Sequence, residues 1–202
     1  MKILCTDLEG TLAPEIWQEI GNFFGINELN LTTRDISDFD ELMSKRMDAL
    51  HKNNVSYEKI LNFVKTIKPF DGAKEFLSSI SSDYQIVVVS DTFYELGLPV
   101  VEKLGNIPLL CHELIIENDF IVDYKKRQEE PKKEVIKGFQ AMKFECFCMG
   151  DSYNDIQMID ESNGAFIFAP SEVKASRPDI ISFDSYDDIK AVSYTHLTLP
   201  TT

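Results

Sequence analysis

The feature that most constrains this fold is a series of short apolar runs separated by helix-like stretches. The runs have the length of single strands and lie at Ile3–Thr6, Gln85–Ser90, Ile107–Cys111, Glu145–Met149 and Ala165–Phe168. Because neighbouring residues in each run are apolar, the pattern is typical of strands buried on both faces. Helical spacing marks the segments Gly72–Ser79, Tyr94–Leu104, Lys133–Lys143 and Asp155–Glu161. This alternation predicts an α/β fold with a mostly parallel sheet.

A different pattern separates the first strand from Gly72. Three helical segments follow one another with no strand between them, at Pro14–Phe24, Ser37–Asn53 and Ser56–Lys68. An insertion at this point would cover the carboxyl edge of the sheet, where open α/β sheets bind ligands. We therefore predict a Rossmann-like doubly wound parallel sheet, formed by residues 1–12 and 70–192, with a helical cap, residues 13–69, inserted after strand 1.

One smaller element departs from the parallel pattern. The segments Glu113–Ile116 and Phe120–Tyr124 flank Glu117–Asn118–Asp119. Asn and Asp tolerate the left-handed backbone of tight turns, so these residues predict a small β-hairpin.

The two ends of the chain carry little fold information. The N-terminal apolar run stops at Asp7, which is too early for a signal peptide or a membrane span, so we predict a cytoplasmic protein. The final segment, Ser193–Thr202, lacks charge, helical period and clear strand alternation. We expect it to be disordered or foreign to the native protein.

The charge balance narrows the class of partner. Lysine and arginine number 20 against 34 acidic residues, which gives a net charge of -14. A field of that sign repels nucleic-acid backbones and anionic membranes, so we expect neither as a partner and predict a small-molecule substrate. An anionic substrate would require local cations and a metal ion.

Cysteine and histidine residues give no sign of a metal or redox site. The cysteines lie in apolar, strand-like surroundings without a CxxC pair, which predicts buried reduced thiols: Cys5, Cys111, Cys146 and Cys148. The histidines share no ligand spacing and are interpreted as non-metal residues: His51, His112 and His196.

Two acidic residues follow the first predicted strand directly. In DLEGT, Asp7 and Glu9 emerge where the strand ends and the chain begins to turn. A carboxylate at this edge can act as nucleophile or metal ligand, and a second one with a raised pKa can exchange protons. The alternative is an ordinary turn in which acidic side chains accept hydrogen bonds from local amides.

Three further groups recur later in the chain. Ser90 ends the strand VVVS, where its hydroxyl and nearby amides could hold a phosphate, although a helix cap is the alternative. Lys132 offers a positive charge for a phosphoryl group, with a solvated surface lysine as the alternative. In GDSYND, Asp151 and Asp155 supply hard oxygen ligands suited to Mg²⁺. Their order, with most groups at strand ends, favours magnesium-dependent phosphoryl transfer over separate capping roles.

This ordered set resembles the haloacid dehalogenase superfamily, whose motifs are DxDxT, a strand-end Ser or Thr, a Lys and an acidic pair. The resemblance covers Met1 to Val192, and Glu15 and Arg46 in the helical insertion resemble its phosphoserine phosphatase branch. More narrowly, the chain is similar to the bifunctional phosphoserine phosphatase and homoserine phosphotransferase group in DLEGT, PEIW, TTRD, SDTFYE, LLCH and GDSYND. Arg34 of TTRD is left without an assigned role.

The resemblance implies catalytic and metal-binding roles. Asp7 would be the nucleophile that becomes an aspartyl-phosphate, and Glu9 the acid/base. Mg²⁺ would be bound by Asp7, the backbone carbonyl of Glu9, and Asp151, with Asp155 nearby. The groups implied to hold the phosphoryl oxygens are Ser90, the Asp91 amide and Lys132.

The resemblance also implies phosphoserine as substrate. Glu15 would bind its α-ammonium group, Arg46 its α-carboxylate, and Asn154 would contact the phosphorylated substrate. The structural alternatives are a helix-dipole acid for Glu15 and a solvated helical residue for Arg46. Glu9 stands where the superfamily usually has Asp, which leaves open whether water or the hydroxyl of homoserine accepts the phosphoryl group.

Several questions stay open at the level of sequence. A phosphatase for another small phosphomonoester is one competing function, because cap pockets set specificity. A phosphoacceptor signalling module is another. The oligomeric state is also open, a homodimer included.

Overall fold

A computed structural model describes residues 1–168 and 172–189. Within them, one sheet has the strand order β4-β3-β2-β1-β5-β6-β7. The strands are β1 (Lys2–Thr6), β2 (Gln85–Phe93), β3 (Leu109–Glu117), β4 (Phe120–Lys125), β5 (Glu145–Gly150), β6 (Gly164–Phe168) and β7 (Ile181–Phe183). The tail Ser193–Thr202 lies outside the described residues.

The predicted fold class is confirmed by the strand pairing. β1 lies at the centre and pairs in parallel with β2 on one side and β5 on the other. β3, β6 and β7 continue the parallel arrangement, and β4 alone is antiparallel among the described strands. The chain order therefore reverses on either side of β1, which is the switch point where doubly wound sheets bind ligands.

The helices fall between the strands as the sequence pattern predicts. They are α1 (Ile16–Phe24), α2 (Phe39–Lys52), α3 (Tyr57–Val64), α4 (Ala73–Ile80), α5 (Tyr94–Val101), α6 (Pro131–Ala141), α7 (Ile156–Glu161) and α8 (Glu172–Ser176). Short 3₁₀ turns occupy Asn27–Asn30 and Tyr153–Asp155. No helix in the described ranges is long and apolar enough to cross a membrane.

The predicted strand Ile107–Cys111 was wrong in its extent. Cys111 is followed by further strand residues, because β3 first pairs with β2 and then, beyond His112, turns to antiparallel pairing with β4. One long strand therefore combines the predicted strand with the first arm of the predicted hairpin. β2 also runs past Ser90 to Phe93, and the short strand β7 was not predicted because ISF carries too weak a pattern.

Alternate residues of the central strand face two separate apolar layers. Leu4 packs into the larger layer, whereas Ile3 and Cys5 pack into the smaller one. This explains why β1 is apolar at successive positions. All four cysteines are buried free thiols, as predicted.

The segment between β1 and α4 contains α1, α2 and α3, and it is attached to the sheet at several points. The carbonyl and carboxylate of Asp119, at the tip of the β3–β4 hairpin, accept hydrogen bonds from the amides of Tyr57 and Glu58 at 2.7 and 2.8 Å. Lys103, after α5, donates to the carbonyl of Lys65 at 2.7 Å. These contacts fix both ends of α3, since a helix leaves unpaired amides at its start and unpaired carbonyls at its end.

Candidate active site

Three neighbouring strands bring the predicted acidic and hydroxyl groups to one edge of the sheet. Asp7 follows β1, Asp151 follows β5, and Ser90 lies in β2. Because β2, β1 and β5 are adjacent and parallel, their carboxyl ends meet. The amide of Asp7 donates to the carbonyl of Met149 at 2.9 Å, which ties the first acidic loop to β5.

Lys132 is the central cation of this edge. Its side chain is only 3% exposed, and Nζ lies 2.6 Å from Asp155 Oδ1 and 3.0 Å from Asp7 Oδ2. Asp91 Oδ2 is farther away, at 3.8 Å. Burial by itself would lower the pKa of Lys132, but Asp155, Asp7 and Asp91 together raise it well above its usual value. The ammonium group therefore stays charged. The solvated-surface alternative for Lys132 is wrong.

Asp7 is held in a fixed orientation in a nearly closed environment. One carboxylate oxygen accepts a 2.8 Å hydrogen bond from the amide of Leu8, while the other faces Lys132. Burial raises the pKa of Asp7 well above its usual value, and the charge of Asp155 raises it further, against the effect of Lys132. Additional positive charge near Asp7 would favour its ionised form.

Three carboxylates offer ligand atoms for such a charge. Asp7, Asp151 and Asp155 place oxygens within 4.8 Å of one another. Burial raises the pKa of Asp151 to about 6, with Asp155 as the next contributor. A cluster of hard oxygen donors that repel one another suits Mg²⁺, so the donor set fits that ion.

The oxygens of Asp155 already have partners in the protein. Oδ1 accepts from Lys132, and Oδ2 accepts from the amides of Asp151 and Ser152 at 3.1 and 3.0 Å. Asp155 Oδ2 also accepts from Ser152 Oγ at 3.1 Å, whereas each oxygen of Asp7 has one protein partner, Leu8 or Lys132. Asp155 therefore organises the GDSYND loop, and Asp7 and Asp151 are the better candidates for direct ligands. The predicted metal contact of Glu9, through its backbone carbonyl, stays a prediction.

Glu9 points toward the first inserted helix. Its Oε1 accepts a 2.7 Å hydrogen bond from the amide of Ile16, at the start of α1. Burial, followed by the charge of Glu15, raises the pKa of Glu9 to about 8, against the effects of the Ile16 amide, Arg46 and Lys132. A carboxyl group with a pKa near neutrality is suited to both giving and taking a proton.

Two glycines allow the acidic loops to approach each other. Gly10 has φ of 74°, and a Cβ atom there would lie less than 3.0 Å from the carboxylate of Asp151. A Cβ atom on Gly150 would come equally close to the carboxylate of Asp155. Side chains at these positions would displace the two carboxylates.

Ser90 and Asp91 are consecutive residues of β2, and Asp91 faces the lysine. Ser90 is 2% exposed, and its Oγ accepts a 3.3 Å hydrogen bond from the amide of Thr92. The Asp91 side chain is partly exposed, and its Oδ2 accepts a 2.8 Å hydrogen bond from Asn154 Nδ2. This hydrogen bond joins β2 to the loop that follows β5.

Arg46 and Glu15 approach the site from the inserted helices. Arg46 is 7% exposed and donates to the carbonyl of Leu31 at 2.6 Å. Its Nε is buried with no hydrogen-bond partner in the described part of the chain. Burial lowers the pKa of Arg46 to about 10, although Glu9 and Glu15 oppose this shift. Burial raises the pKa of Glu15, against the effect of Arg46.

The burial of Arg46 contradicts the alternative that it is a solvated helical residue. Arg34 of TTRD, in contrast, is exposed. Glu15 immediately precedes α1 and makes no side-chain cap for that helix.

Comparison with known proteins identifies the family. Residues 1–163 match the haloacid dehalogenase-like hydrolases. The chain belongs to this family. The hydrolase is 39% identical over 192 residues to "Phosphoserine phosphatase ThrH" of Pseudomonas aeruginosa, with 94% of each chain covered. It is 38% identical over 192 residues to "Phosphoserine phosphatase" of Pseudomonas syringae, covering 94% of this chain and 81% of that protein.

Solved structures support the same fold. One described as a "Phospho-Aspartyl Intermediate Analogue of Phosphoserine phosphatase" superposes on the hydrolase with a TM-score of 0.79 at 22% identity. It covers 96% of this chain and 98% of that chain.

Sequence reasoning missed three residues of this hydrolase site. The guanidinium carbon of Arg46 lies 5.0 Å from the ring centroid of Trp17, a distance that permits a cation–π contact. Thr11 Oγ1 donates to Asp151 Oδ1 at 3.4 Å. His112 Nε2 lies 3.9 Å from Asp91 Oδ1. Each of the three lies inside a segment that carries the family resemblance: Thr11 in DLEGT, Trp17 in PEIW and His112 in LLCH.

The approach of Gly10 to Asp151 yields a test with a matched control. We expect Gly10→Ala to reduce phosphatase activity at least about tenfold, because the new methyl group displaces the Asp151 carboxylate. Gly25 also has a positive φ, 70°, but no atom lies within 4 Å of its Cβ position. Gly25→Ala should therefore cost about 1–2 kcal/mol of stability from backbone strain while retaining activity. Steady-state kinetics and urea unfolding measure the two effects, and equal activity losses would contradict the role given to Gly10.

Proposed function

We propose that this hydrolase is a magnesium-dependent phosphoserine phosphatase that acts through an aspartyl-phosphate on Asp7. The observation that carries the proposal is the buried Asp7 carboxylate, fixed by the Leu8 amide and 3.0 Å from Lys132, beside Asp151. The names of its relatives support phosphoserine as the substrate. The alternative of an ordinary turn at Asp7 does not account for the burial of Lys132 among three carboxylates.

In the first half-reaction, a carboxylate oxygen of Asp7 forms a bond to phosphorus. The bond between phosphorus and the serine oxygen breaks, and the departing oxygen takes a proton from Glu9. In the second half-reaction, water attacks phosphorus and gives a proton to Glu9, while the bond to Asp7 breaks and releases phosphate. A pKa of about 8 places Glu9 in the range required for both transfers.

The remaining groups stabilise charge on the phosphoryl oxygens. Lys132 supplies a fixed positive charge, and Ser90 with the Asp91 amide supplies hydrogen-bond donors. Mg²⁺, when bound by Asp7 and Asp151, would add positive charge that reduces repulsion between the nucleophile and the phosphate. The buried carboxylate cluster supports a need for a bound cation, because its members repel one another.

Residues 13–69 would form the cap that selects the substrate. Arg46 from this segment is buried, Glu15 lies at the exposed start of α1, and the charges of both act on Glu9. Opposite charges in one pocket match the α-ammonium and α-carboxylate of an amino acid, which lose hydration on binding. The unpartnered Nε of Arg46 leaves a donor for the substrate carboxylate.

We also propose that homoserine can replace water as the phosphoryl acceptor. Glu9 is longer than the usual aspartate and is anchored by the Ile16 amide at the base of α1. A carboxylate fixed to the cap is well placed to deprotonate a hydroxyl whose amino-acid end binds to that cap. A phosphoacceptor signalling module is disfavoured, because such a module needs neither Glu9 nor a charged substrate pocket. The cytoplasmic location stays a prediction.

The nucleophile is tested by Asp7→Asn. We expect phosphoserine turnover to fall about a thousandfold or more, because an amide does not accept the phosphoryl group. Asp48→Asn is the control, since Asp48 is exposed on α2. Phosphate release and circular dichroism are measured together. Retained activity with phosphate trapped on another residue would refute the assignment of Asp7.

The substrate pocket is tested by Arg46→Lys. We expect kcat/KM for phosphoserine to fall about tenfold or more, while turnover of an aryl phosphate changes little, since lysine lacks the planar two-pronged contact with a carboxylate. Arg177→Lys serves as the control, because Arg177 pairs with Asp160 and Asp179 outside the inserted helices. Equal losses on both substrates would mean that Arg46 supports the cap and does not read the amino acid.

The acceptor preference is tested by Glu9→Asp. This change keeps the charge but shortens the side chain by one methylene group, so the carboxylate no longer reaches both α1 and the acceptor. We expect a lower ratio of homoserine phosphate to free phosphate when phosphoserine and homoserine are supplied together. If the wild-type protein forms no homoserine phosphate, or the ratio is unchanged, this part of the proposal fails while phosphatase activity stands.

A further inference from the structure

His112 is a buried titratable side chain that the proposed mechanism does not use. It lies in β3, opposite Phe93 of β2, where β3 leaves its parallel partner. Only 4% of the residue is exposed. Its ring packs against Phe39 of α2 and Phe93, with both centroid distances at 6.1 Å. Packing of this kind fixes the plane of the imidazole.

The hydrogen bonding of His112 determines which ring nitrogen carries the proton. Nδ1 accepts a 3.1 Å hydrogen bond from the backbone amide of Arg127. An accepting Nδ1 has no proton, so the neutral ring carries its proton on Nε2. Burial lowers the pKa of His112, against the effect of Asp91, which favours this neutral form. Nε2–H faces Asp91 Oδ1 at 3.9 Å, within reach of a small side-chain adjustment.

Asp91 connects this ring to the reacting groups. Its other oxygen, Oδ2, accepts a 2.8 Å hydrogen bond from Asn154 and lies 3.8 Å from Lys132 Nζ. A carboxylate next to a phosphate site is repelled by the substrate. The Nε2–H group of His112, on the Oδ1 side of Asp91, would keep the carboxylate oriented toward Asn154 and away from the phosphoryl group.

We propose that His112 is a positioning residue that acts through Asp91 to orient Asn154 and to limit how strongly Asp91 competes for Lys132. The inference rests on the proposed function for the role of Asn154 and Lys132. A purely structural His112 would fill space between Phe39 and Phe93, and its Nε2–H would make no difference to turnover.

Two substitutions of His112 test the roles of its two ring nitrogens separately. In His112→Asn, the side-chain oxygen can replace Nδ1 as acceptor for the Arg127 amide, but no donor reaches Asp91. In His112→Gln, the amide nitrogen can replace the Nε2 donor, but the acceptor for Arg127 is lost. We expect His112→Asn to lower kcat/KM about five- to tenfold with little change in melting temperature. His112→Gln should stay within about twofold of wild type while melting at a lower temperature.

A double-mutant cycle tests the route of the effect. If His112 acts through Asp91, the loss caused by His112→Asn should disappear when Asp91 is already alanine. Equal kinetic losses in the Asn and Gln variants, or a His112→Asn effect that persists in the Asp91→Ala background, would overturn the inference. The variants are assayed with both phosphoserine and an aryl phosphate. Wild-type inactivity on phosphoserine alone would refute the proposed substrate, and the aryl phosphate series would still decide the role of His112.

Discussion

The site depends on one buried ammonium group. The carboxylates of Asp7, Asp91 and Asp155 approach Lys132 from three segments of the chain. Burial of Lys132, Asp7 and Asp155 depends on the pairing of their opposite charges. Besides its proposed contact with the phosphoryl group, the lysine links the loop after β1, strand β2 and the loop after β5. Removing the lysine would leave Asp7 and Asp155 buried without their shared cation, which is the costliest state of such a cluster.

Asp155 illustrates how a motif residue can organise a site through hydrogen bonds within the protein. Its carboxylate holds Lys132 with one oxygen and the loop amides of Asp151 and Ser152 with the other. The close approach of Gly150 makes room for this arrangement. Asp155 thus accepts more hydrogen bonds from the protein than Asp7 does, which makes Asp7 and Asp151 the better candidates for binding a cation.

The sheet and the edge that carries the site were predictable from the sequence, because buried parallel strands leave uninterrupted apolar runs and place polar residues at their ends. The extent of β3 was not, because a strand that changes partners at His112 shows no break in its pattern. The burial of Arg46 was equally hidden. From sequence alone, a charged residue on a helix is expected to be solvated. The groups that bury Arg46, the Trp17 ring and the carbonyl of Leu31, are known only from the structure. His112, Asp91 and Asn154 are distant in sequence, so no local pattern of residues predicts that they lie together.

Trp17 is the single tryptophan of the chain, and its ring contacts both Arg46 and, edge to face, Phe93 of the sheet. Indole emission responds to nearby charge and to hydration, so all tryptophan fluorescence of the protein originates at the junction between the inserted helices and the sheet. The unmodified protein consequently carries its own optical probe for occupancy of this junction. Binding can be followed in solution without a label, a coupled enzyme or turnover.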